Sequence, residues 1–352
     1  MESLHCSLLL RSRSPATVML HPIGLSRRGS RLAPMAPHSP RYDSELQAFL
    51  DNNPDIKRTS LTPDGIAPLR EEFVSLGLEG LVNNRALDAT ETVVHARDGH
   101  ALPMTTIRAK GSEAPRAALF HIHSGGMMVG DRFIGMDLMA DWVERHNLVC
   151  ASVEYRLAPE NPDPTPLNDC YDALVNFADS LDAQTPLIIA GMSAGGGLSA
   201  GLSLMSRDLK GPQLAGTLLM CPMLDYRNDS ASSEQFQNLG LWDQGSNDTG
   251  WNSYLGDTRF SGTVSPYASP FHAEDLSGLP PTFLDVGTLE VFRSEIAGFA
   301  EKLAQADVPV EFHMWMGAFH GFDLTYPDAQ VSREAMTARE QWLLRLLREV
   351  EK

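Results

Sequence analysis

The sequence predicts an α/β fold with a mostly parallel central sheet, helices on both faces of the sheet, and a helical cap. Short apolar runs rich in β-branched residues alternate with longer stretches of helical periodicity. The apolar runs lie at 117–123, 148–153, 187–190, 217–220, 282–286 and 310–315, and the helical stretches at 134–145, 166–180, 197–208, 290–306 and 332–349. Runs that are apolar on both faces suit covered strands, and strand–helix alternation is typical of a parallel sheet.

Size and composition agree with a globular protein that has a large core. The chain has 352 residues, of which 43% are hydrophobic and 21% are charged, and its formal net charge is −17. An acidic surface repels phosphate backbones, so we expect no nucleic-acid partner. We also expect no membrane span, because no run reaches the roughly 18 apolar residues that a spanning helix needs.

Residues 1–41 differ from the rest of the chain, because they hold six arginines, seven serines, five prolines and one acidic residue. We expect a disordered leader or untranslated residues before a start at Met19 or Met35. The alternative is a transit peptide, whose amphipathic helix the prolines disfavour. The four cysteines show no paired spacing, which suits a reducing compartment. The expected location is the cytoplasm, or the mitochondrion if the leader is a transit peptide.

The body of the chain divides into two predicted parts. Residues 43–85 space their apolar side chains three and four apart, which predicts helices, and two strands follow around a turn at Asp98 and Gly99. Residues 225–278 are rich in Asn, Asp, Ser and Gly with interspersed tryptophans, and we interpret them as an insertion over the edge of the sheet. The predicted boundaries are 42–88 for the helical segment and 89–352 for the main domain.

Residues 191–195 read G-M-S-A-G and match the pattern G-x-S-x-G, between an apolar run and a helix of small residues. On such a tight strand-to-helix turn the serine side chain is exposed above the sheet, where the helix N-terminus favours negative charge. Chance occurrence is the alternative in a glycine-rich chain, but the strand and helix context favours a nucleophile. We therefore predict Ser193 as the nucleophile.

Residues 123–126 read H-S-G-G and end the first apolar run. An acyl-transfer enzyme needs N–H donors directed at the developing oxyanion, and loss of one typically costs about 3 kcal/mol. We predict the backbone N–H groups of Gly125, Gly126 and Ala194 as these donors. The alternative is a metal pair formed by His121 and His123, but no third ligand follows at a usual spacing. We expect no metal.

A serine nucleophile needs a base, and the base needs an orienting carboxylate. Among eleven histidines, His320 follows the last predicted strand, so its imidazole is expected on a loop at the edge of the sheet. Glu290 follows the preceding strand and is the first candidate for the carboxylate, with Asp285 and Glu295 as the others. The order Ser193, Glu290, His320 is typical of α/β-hydrolases and not of other serine-triad folds.

Together these motifs resemble the hormone-sensitive-lipase-like family of α/β-hydrolase carboxylesterases. The turn at 123–126 is similar to the family's H-G-G-G motif, and residues 153–160 to its V-D-Y-R-L-A-P-E segment. Residues 191–196 resemble its G-D-S-A-G-G elbow, and residues 317–322 its histidine loop. The resemblance implies the α/β-hydrolase fold, a helical cap supplied by the N-terminal helical segment, and an esterase without a cofactor.

Three positions depart from the pattern of that family. Ser124 replaces the first glycine of the oxyanion motif, Met192 replaces the usual acidic residue beside the nucleophile, and Glu290 stands where aspartate is commoner. None of these changes removes a catalytic part. We expect Met192 to alter the local field at Ser193 and the entry to the site.

These observations predict a serine carboxylesterase that acts on short- to medium-chain or small-molecule esters through an acyl-enzyme. A lactonase, a natural-product deacetylase and a non-catalytic small-molecule receptor on the same fold are the alternatives. A homodimer is a possible assembly. For each predicted wall of the apolar pocket, plain core packing is the alternative. The predicted walls are Met127, Met128, Trp242, Trp251 and Phe319.

Overall fold

The computed structural model describes residues 41–56 and 60–350. The leader predicted for residues 1–41 lies outside these ranges, except for residue 41. Eight strands occur in the described ranges. They are β1 (Leu87–His95), β2 (Ala101–Ala109), β3 (Ala118–Ile122), β4 (Val149–Val153), β5 (Leu187–Met192), β6 (Gly216–Met220), β7 (Thr282–Leu289) and β8 (Val310–Phe319).

The same ranges contain eleven α-helices. They are α1 (Ser44–Asn52), α2 (Ile66–Glu72), α3 (Gly77–Val82), α4 (Met136–His146), α5 (Thr165–Asp179), α6 (Ala194–Asp208), α7 (Ala231–Gln235), α8 (Gln244–Leu255), α9 (Arg293–Gln305), α10 (Phe322–Thr325) and α11 (Gln330–Val350). Short 3-10 helices lie at Pro54–Ile56, Pro63–Gly65, Gly256–Phe260 and Pro270–His272. None of these described helices combines the length and the apolar character that crossing a bilayer requires.

The strands of the described residues form one mixed sheet in the order β1-β2-β4-β3-β5-β6-β7-β8. The hairpin of β1 and β2 is antiparallel, β2 is antiparallel to β4, and every other neighbouring pair is parallel. Every residue of β3, β4, β5 and β6 is buried, because helices cover both faces of the sheet. This arrangement confirms the predicted α/β-hydrolase fold.

Two apolar clusters lie on opposite faces of the sheet. On one face, Phe120 belongs to a cluster that includes Phe177 of α5. On the other face, the adjacent residue Leu119 belongs to a cluster with Trp142 of α4 and Trp342 of α11. Successive strand residues point to opposite faces, so a run that is apolar throughout supplies both clusters.

The N-terminal helices contact the part of the fold that carries the predicted site. Leu46 and Leu50 of α1 join a cluster with Phe319, at the end of β8. Arg70 of α2 donates to the carbonyl oxygens of Met128 (2.7 Å) and Ala158 (2.8 Å). These contacts fix the helices over the end of the sheet where the parallel strands finish.

Candidate active site

The predicted nucleophile lies on a strained turn between β5 and α6. Ser193 has φ 55° and ψ −122°, a left-handed φ that a residue with a Cβ rarely adopts. Its N–H donates to the carbonyl of Met220 at 2.8 Å, and its carbonyl accepts from the N–H groups of Gly197 and Met223, both at 3.0 Å. These three hydrogen bonds hold the turn in the strained conformation.

Two glycines allow this turn to pack closely. A Cβ on Gly191 would lie 2.2 Å from the carbonyl oxygen of Gly195, and a Cβ on Gly195 would lie 2.1 Å from that of Ile122. Both positions therefore require glycine. The second contact joins the nucleophile turn to the end of β3, which leads into the predicted oxyanion turn.

The structure brings Ser193, His320 and Glu290 together. The Nε2 atom of His320 lies 3.0 Å from Oγ of Ser193, and Nδ1 lies 3.1 Å from Oε1 of Glu290. Since a carboxylate only accepts, Nδ1–H donates to Glu290, which leaves Nε2 to accept from the hydroxyl. The Glu290 side chain is buried, and its second oxygen accepts from the N–H of Gly287 at 3.1 Å. The relay therefore has its protons in the order that base catalysis needs.

The register of β7 and β8 explains why the acid and the base meet. Both strands extend beyond their apolar runs, and Leu289 at the end of β7 pairs with Phe319 at the end of β8. Glu290 and His320 are the next residues on these two neighbouring strands. Despite the irregular pairing between Gly287 and Leu289, β7 continues through Leu289, so the turn begins at Glu290 and does not span 287–290 as the sequence suggested.

The other two candidate carboxylates bind elsewhere. Asp285 accepts from Arg339 (2.7 Å) and Trp315 (3.1 Å), and Glu295 accepts from the N–H groups of Leu224 and of the residue after it. Burial raises the pKa of both carboxyl groups. These hydrogen bonds connect separate elements of the fold. Neither Asp285 nor Glu295 forms a hydrogen bond with His320 in the described residues.

The predicted oxyanion turn lines the site. Gly125 and Gly126 have φ +116° and +61°, and the carbonyl of Gly125 accepts from the N–H groups of Met128 and Val129. Within the described part of the chain, the N–H groups of Gly125 and Gly126 donate to no protein acceptor. Ala194 is the first residue of α6, so its N–H has no acceptor within the helix.

Ser193 and His320 open into a cavity of about 330 Å³. The two glycines of the oxyanion turn line it, as do Ser124 and Met192, two of the positions that depart from the family pattern. Its apolar walls include Leu69, Phe73, Val129, Leu241, Trp242 and Leu324. The cavity therefore combines a polar floor with apolar walls, which is typical of a small-molecule site.

Of the five predicted wall residues, only Trp242 lines this cavity. Met127, Met128, Trp251 and Phe319 do not, because their side chains are buried in the surrounding core. Met127 and Trp251 belong to the cluster on one face of the sheet, Met128 packs beneath α2, and Phe319 packs against α1. For these four residues the correct interpretation is core packing.

Sequence reasoning missed most of the apolar wall. Leu69 and Phe73 are four residues apart, which places them on one face of a helix, and this spacing was the available indication. Nothing in the sequence says that this face covers the nucleophile. Leu241 and Leu324 carry no comparable pattern, because one lies in the insertion and the other follows His320 on α10.

His121 and His123 do not form a metal site in the described residues. Burial lowers the pKa of each to about 4, so both rings are neutral near pH 7. His121 pairs with the carbonyl of Ile134 (2.9 Å) and His123 with that of Ser124 (2.7 Å), and neither belongs to a group of three potential ligands in this part of the chain.

The donor atoms of Cys221, Glu290 and His320 lie within 4.8 Å of one another and could in principle hold a metal ion. The thiolate is the form of cysteine that binds metals, and burial raises the pKa of Cys221 well above its ordinary value. The other two residues are already engaged in the relay from Ser193. This arrangement favours a neutral thiol packed behind the relay.

A sheet of this topology, with a serine, a histidine and a glutamate together where its parallel strands end, defines the class of α/β-hydrolases. A family model described as alpha/beta hydrolase fold matches residues 119–324. An esterase of Acinetobacter venetianus is 31% identical over 225 residues, which cover 63% of this chain and 73% of that protein. Esterase LipI of Mycobacterium tuberculosis is 29% identical over 301 residues, covering 82% and 89%.

The fold of a solved structure is also similar. The structure of a bacterial heroin esterase has a TM-score of 0.79 and 30% sequence identity, and the match covers 88% of this chain and 98% of that chain. The chain belongs to the hormone-sensitive-lipase-like family of α/β-hydrolases, as its motifs predicted. It is a carboxylic ester hydrolase.

Proposed function

We propose that the protein is a serine carboxylesterase that hydrolyses short- to medium-chain or small-molecule esters through a triad of Ser193, His320 and Glu290. The observation that supports this proposal is the hydrogen-bond relay from Glu290 through His320 to Ser193, with distances of 3.1 and 3.0 Å. The relay ends in an apolar cavity beside unpaired amides. A nucleophile, a base and oxyanion donors therefore have access to one substrate carbonyl.

In the first half of the reaction, Oγ of Ser193 attacks the ester carbonyl carbon while Nε2 of His320 takes the hydroxyl proton. The carboxylate of Glu290 stabilises the imidazolium, and the N–H groups of Gly125, Gly126 and Ala194 donate to the oxyanion. The carbon–oxygen bond to the alcohol then breaks, and His320 gives its proton to the departing alkoxide. The acyl group remains on Ser193.

In the second half, water attacks the acyl-enzyme and His320 takes a proton from that water. The same donors hold the second oxyanion. When the bond to Ser193 breaks, His320 returns the proton to Oγ and the carboxylic acid leaves. The cycle restores the starting protonation state and needs no cofactor.

The cavity supports a small substrate. Its volume of about 330 Å³ is at the lower end of the roughly 300–1,000 Å³ that is usual for ligand cavities. The walls are aliphatic and aromatic, so the acyl group is recognised by apolar burial. The relative named as a heroin esterase agrees with a small-molecule ester as the substrate class.

The proposed boundaries of the cap and of the catalytic domain follow from which segments line the cavity. We propose residues 42–88 as a cap, because α2 contributes Leu69 and the following loop Phe73 to the cavity. The insertion at 225–278 has the same role on another side, because it contributes Leu241 and Trp242. Residues 89–352 are then the catalytic domain, with the insertion as a second part of the cover.

The test is the variant Ser193→Ala. We expect kcat for a chromogenic butanoate ester to fall by about 10⁴-fold or more, and the pre-steady-state burst and labelling by a fluorophosphonate probe to disappear. Ser203→Ala is the matched control, because this buried serine of the same helix pairs with Thr217 and should keep both burst and label. An undiminished rate in a folded Ser193→Ala protein contradicts the proposal.

A further inference from the structure

A second cavity lies beside the active-site cavity. It has a volume of about 280 Å³ and lies between residues 60–72 of the proposed cap and residues 241–246 of the insertion. Leu69, Leu241 and Trp242 line both cavities, and we call these three residues the shared wall. The two cavities therefore adjoin at these residues.

The indole of Trp242 is the largest side chain of the shared wall, and it is held in place. A Cβ on Gly126 would lie 2.8 Å from Cη2 of the indole, and one on Gly250 would lie 3.5 Å from Cζ2. The ring therefore fits between two positions that have no side chain. Its Nε1–H donates to Oδ1 of Asn247 at 3.3 Å, and Asn247 is itself buried and bonded to Asn228.

The direction of the ester in the site follows from the proposed function. The departing alcohol must lie beside His320, which protonates it, and the carbonyl oxygen must lie beside the amide of Gly126. The acyl chain leaves the carbonyl carbon in the remaining direction, away from His320. A chain that passes Gly126 meets the indole that rests against this glycine.

We propose that Trp242 ends the acyl site and sets the longest acyl chain that the enzyme accepts. This inference rests on the proposed esterase function. With the indole present, a chain that passes Gly126 meets the ring and does not enter the second cavity. Without it, the two cavities become one, and the end of a longer chain extends into the space beside Ser60, Thr62 and Ser246.

The experiment measures kcat/KM for p-nitrophenyl esters with acyl chains of increasing length in the wild type and in Trp242→Ala. For the wild type we expect a maximum at short chains and a decline beyond it. For the variant, the ratio of the dodecanoate rate to the butanoate rate should rise by at least about tenfold, because the joined cavity buries methylenes that are otherwise excluded. Leu241→Ala opens the same wall and should shift the ratio in the same direction.

Two further variants distinguish joining of the two cavities from a general loss of packing around the active-site cavity. Leu324 lines the active-site cavity only, so Leu324→Ala should change rates without moving the preferred chain length. Pro68 lines the second cavity only, so adding Pro68→Trp to Trp242→Ala should fill the space again and return the ratio towards the wild-type value.

An unchanged length profile in both Trp242→Ala and Leu241→Ala overturns the proposal, as does a shift that persists after Pro68→Trp. The proposal is also overturned if Trp242→Ala changes the preferred alcohol length in a series of acetate esters but leaves the preferred acyl length unchanged. A failure of the esterase proposal gives a different result, because the Ser193→Ala variant would then hydrolyse esters at the wild-type rate. The burst amplitude of each variant reports whether the relay remains functional.

Discussion

Of the carboxylate–histidine pairs in the described residues, two have a carboxylate that follows a neighbouring strand of the parallel sheet, and only one of these two has the surroundings of a catalytic base. Glu290 pairs with Nδ1 of His320 at 3.1 Å, and Asp225 pairs with Nε2 of His272 at 2.7 Å. Glu290 follows β7 and Asp225 follows β6, so each carboxylate comes after a strand of the parallel sheet. The chemical groups are the same, and the difference lies in what surrounds them.

The first difference is the partner of the imidazole. The second nitrogen of His320 reaches the hydroxyl of Ser193, whereas the ring of His272 packs against the rings of Tyr226 (4.9 Å between centroids) and Phe271 (5.6 Å). A base without a nucleophile in reach has no proton to take. The position of the imidazole alone therefore does not make a catalytic site.

The second difference is the charge beside the carboxylate. Asp225 also forms an ion pair with Arg227 at 2.8 Å, whereas the ion pair of Glu290 within the described residues is with His320 alone. A guanidinium is always charged and already neutralises Asp225. Glu290 has no such fixed partner, so it gains most when His320 becomes positive during the reaction. A catalytic relay therefore needs an acid whose charge no fixed cation neutralises, so that it remains available to stabilise the protonated base.

Among the variants that test the difference between the two pairs, the largest effect is expected from removing the charge of Glu290. In Glu290→Gln the amide cannot stabilise an imidazolium and can donate to Nδ1, which favours the wrong tautomer. By analogy with acid-to-amide changes in serine-protease triads, we expect kcat to fall by about 10³- to 10⁴-fold. The rate of ester hydrolysis at saturating substrate measures this fall in kcat, and the melting temperature verifies that the variant is folded. A loss smaller than tenfold would mean that Glu290 does not orient the base.

A third cluster of charged side chains contains no histidine and carries no part of the proposed relay. Arg339 is buried and forms ion pairs with Asp285 and Asp323. Arg339→Met leaves two carboxylates buried without a cation, so we expect the free energy of unfolding to fall by about 3–5 kcal/mol. Urea denaturation followed by tryptophan fluorescence measures this loss. A change below about 1 kcal/mol would show that water or protonation already compensates these carboxylates.

The proposed oxyanion turn lies beside Ser193 and His320 in the active-site cavity, and the Asp225–His272 pair has no such turn in that cavity's lining. Gly126→Ala places a Cβ 2.8 Å from Trp242 at a residue with φ +61°, so the amide must move. We expect kcat to fall by about 10²-fold, as for the loss of one oxyanion donor. Gly99→Ala is the control, because Gly99 has φ +85° with nothing within 4 Å. Equal loss of activity in both variants would point to general backbone strain.

The smallest effect is expected at the second pair. Burial alone would raise the pKa of Asp225, but hydrogen bonds from His272 and Arg227 outweigh it and lower the pKa to about 2. A carboxyl whose pKa falls on folding stabilises the protein above its ordinary pKa of about 4, and this stabilisation is lost as the pH decreases towards 2. Asp225→Asn should therefore cost about 2 kcal/mol at neutral pH and less in acid.

Urea denaturation of the wild type and Asp225→Asn at several pH values measures this difference. The two stabilities should converge between pH 5 and pH 2, while kcat at pH 7 stays within about twofold because this carboxylate does not touch the relay. Parallel curves over that range would contradict the assignment of the low pKa. A loss of kcat as large as that of Glu290→Gln would remove the distinction between the two pairs.

The strands and the meeting of three distant residues were predictable from the sequence. The carboxyl ends of parallel strands finish at one edge of a sheet, so Ser193, Glu290 and His320, each placed after a predicted strand, are expected there together. The ends of β7 and β8 were less predictable. Glycines at 287 and 317 interrupt the apolar pattern, although both strands continue through them.

The walls of the cavity were not predictable in the same way. Whether Phe319 faces the cavity or α1 depends on the orientation of elements that lie far apart in the chain, and apolar character is equal for both outcomes. Trp242 and Trp251 illustrate this limit, because they lie in the same insertion and one lines the cavity while the other is buried in the core. Packing decides such cases.

Helix α1 has a consequence for how the chain can be shortened. The N–H of Asp43 donates to the carbonyl of Gly317 at 3.0 Å, and Leu46 and Leu50 pack on Phe319, immediately before His320. Among the described residues, those of α1 do not line the cavity. A protein that starts at residue 42 keeps this hydrogen bond and this packing next to His320, whereas one that starts after residue 52 loses both. We therefore expect kcat to fall when α1 is removed, even though its side chains do not line the cavity.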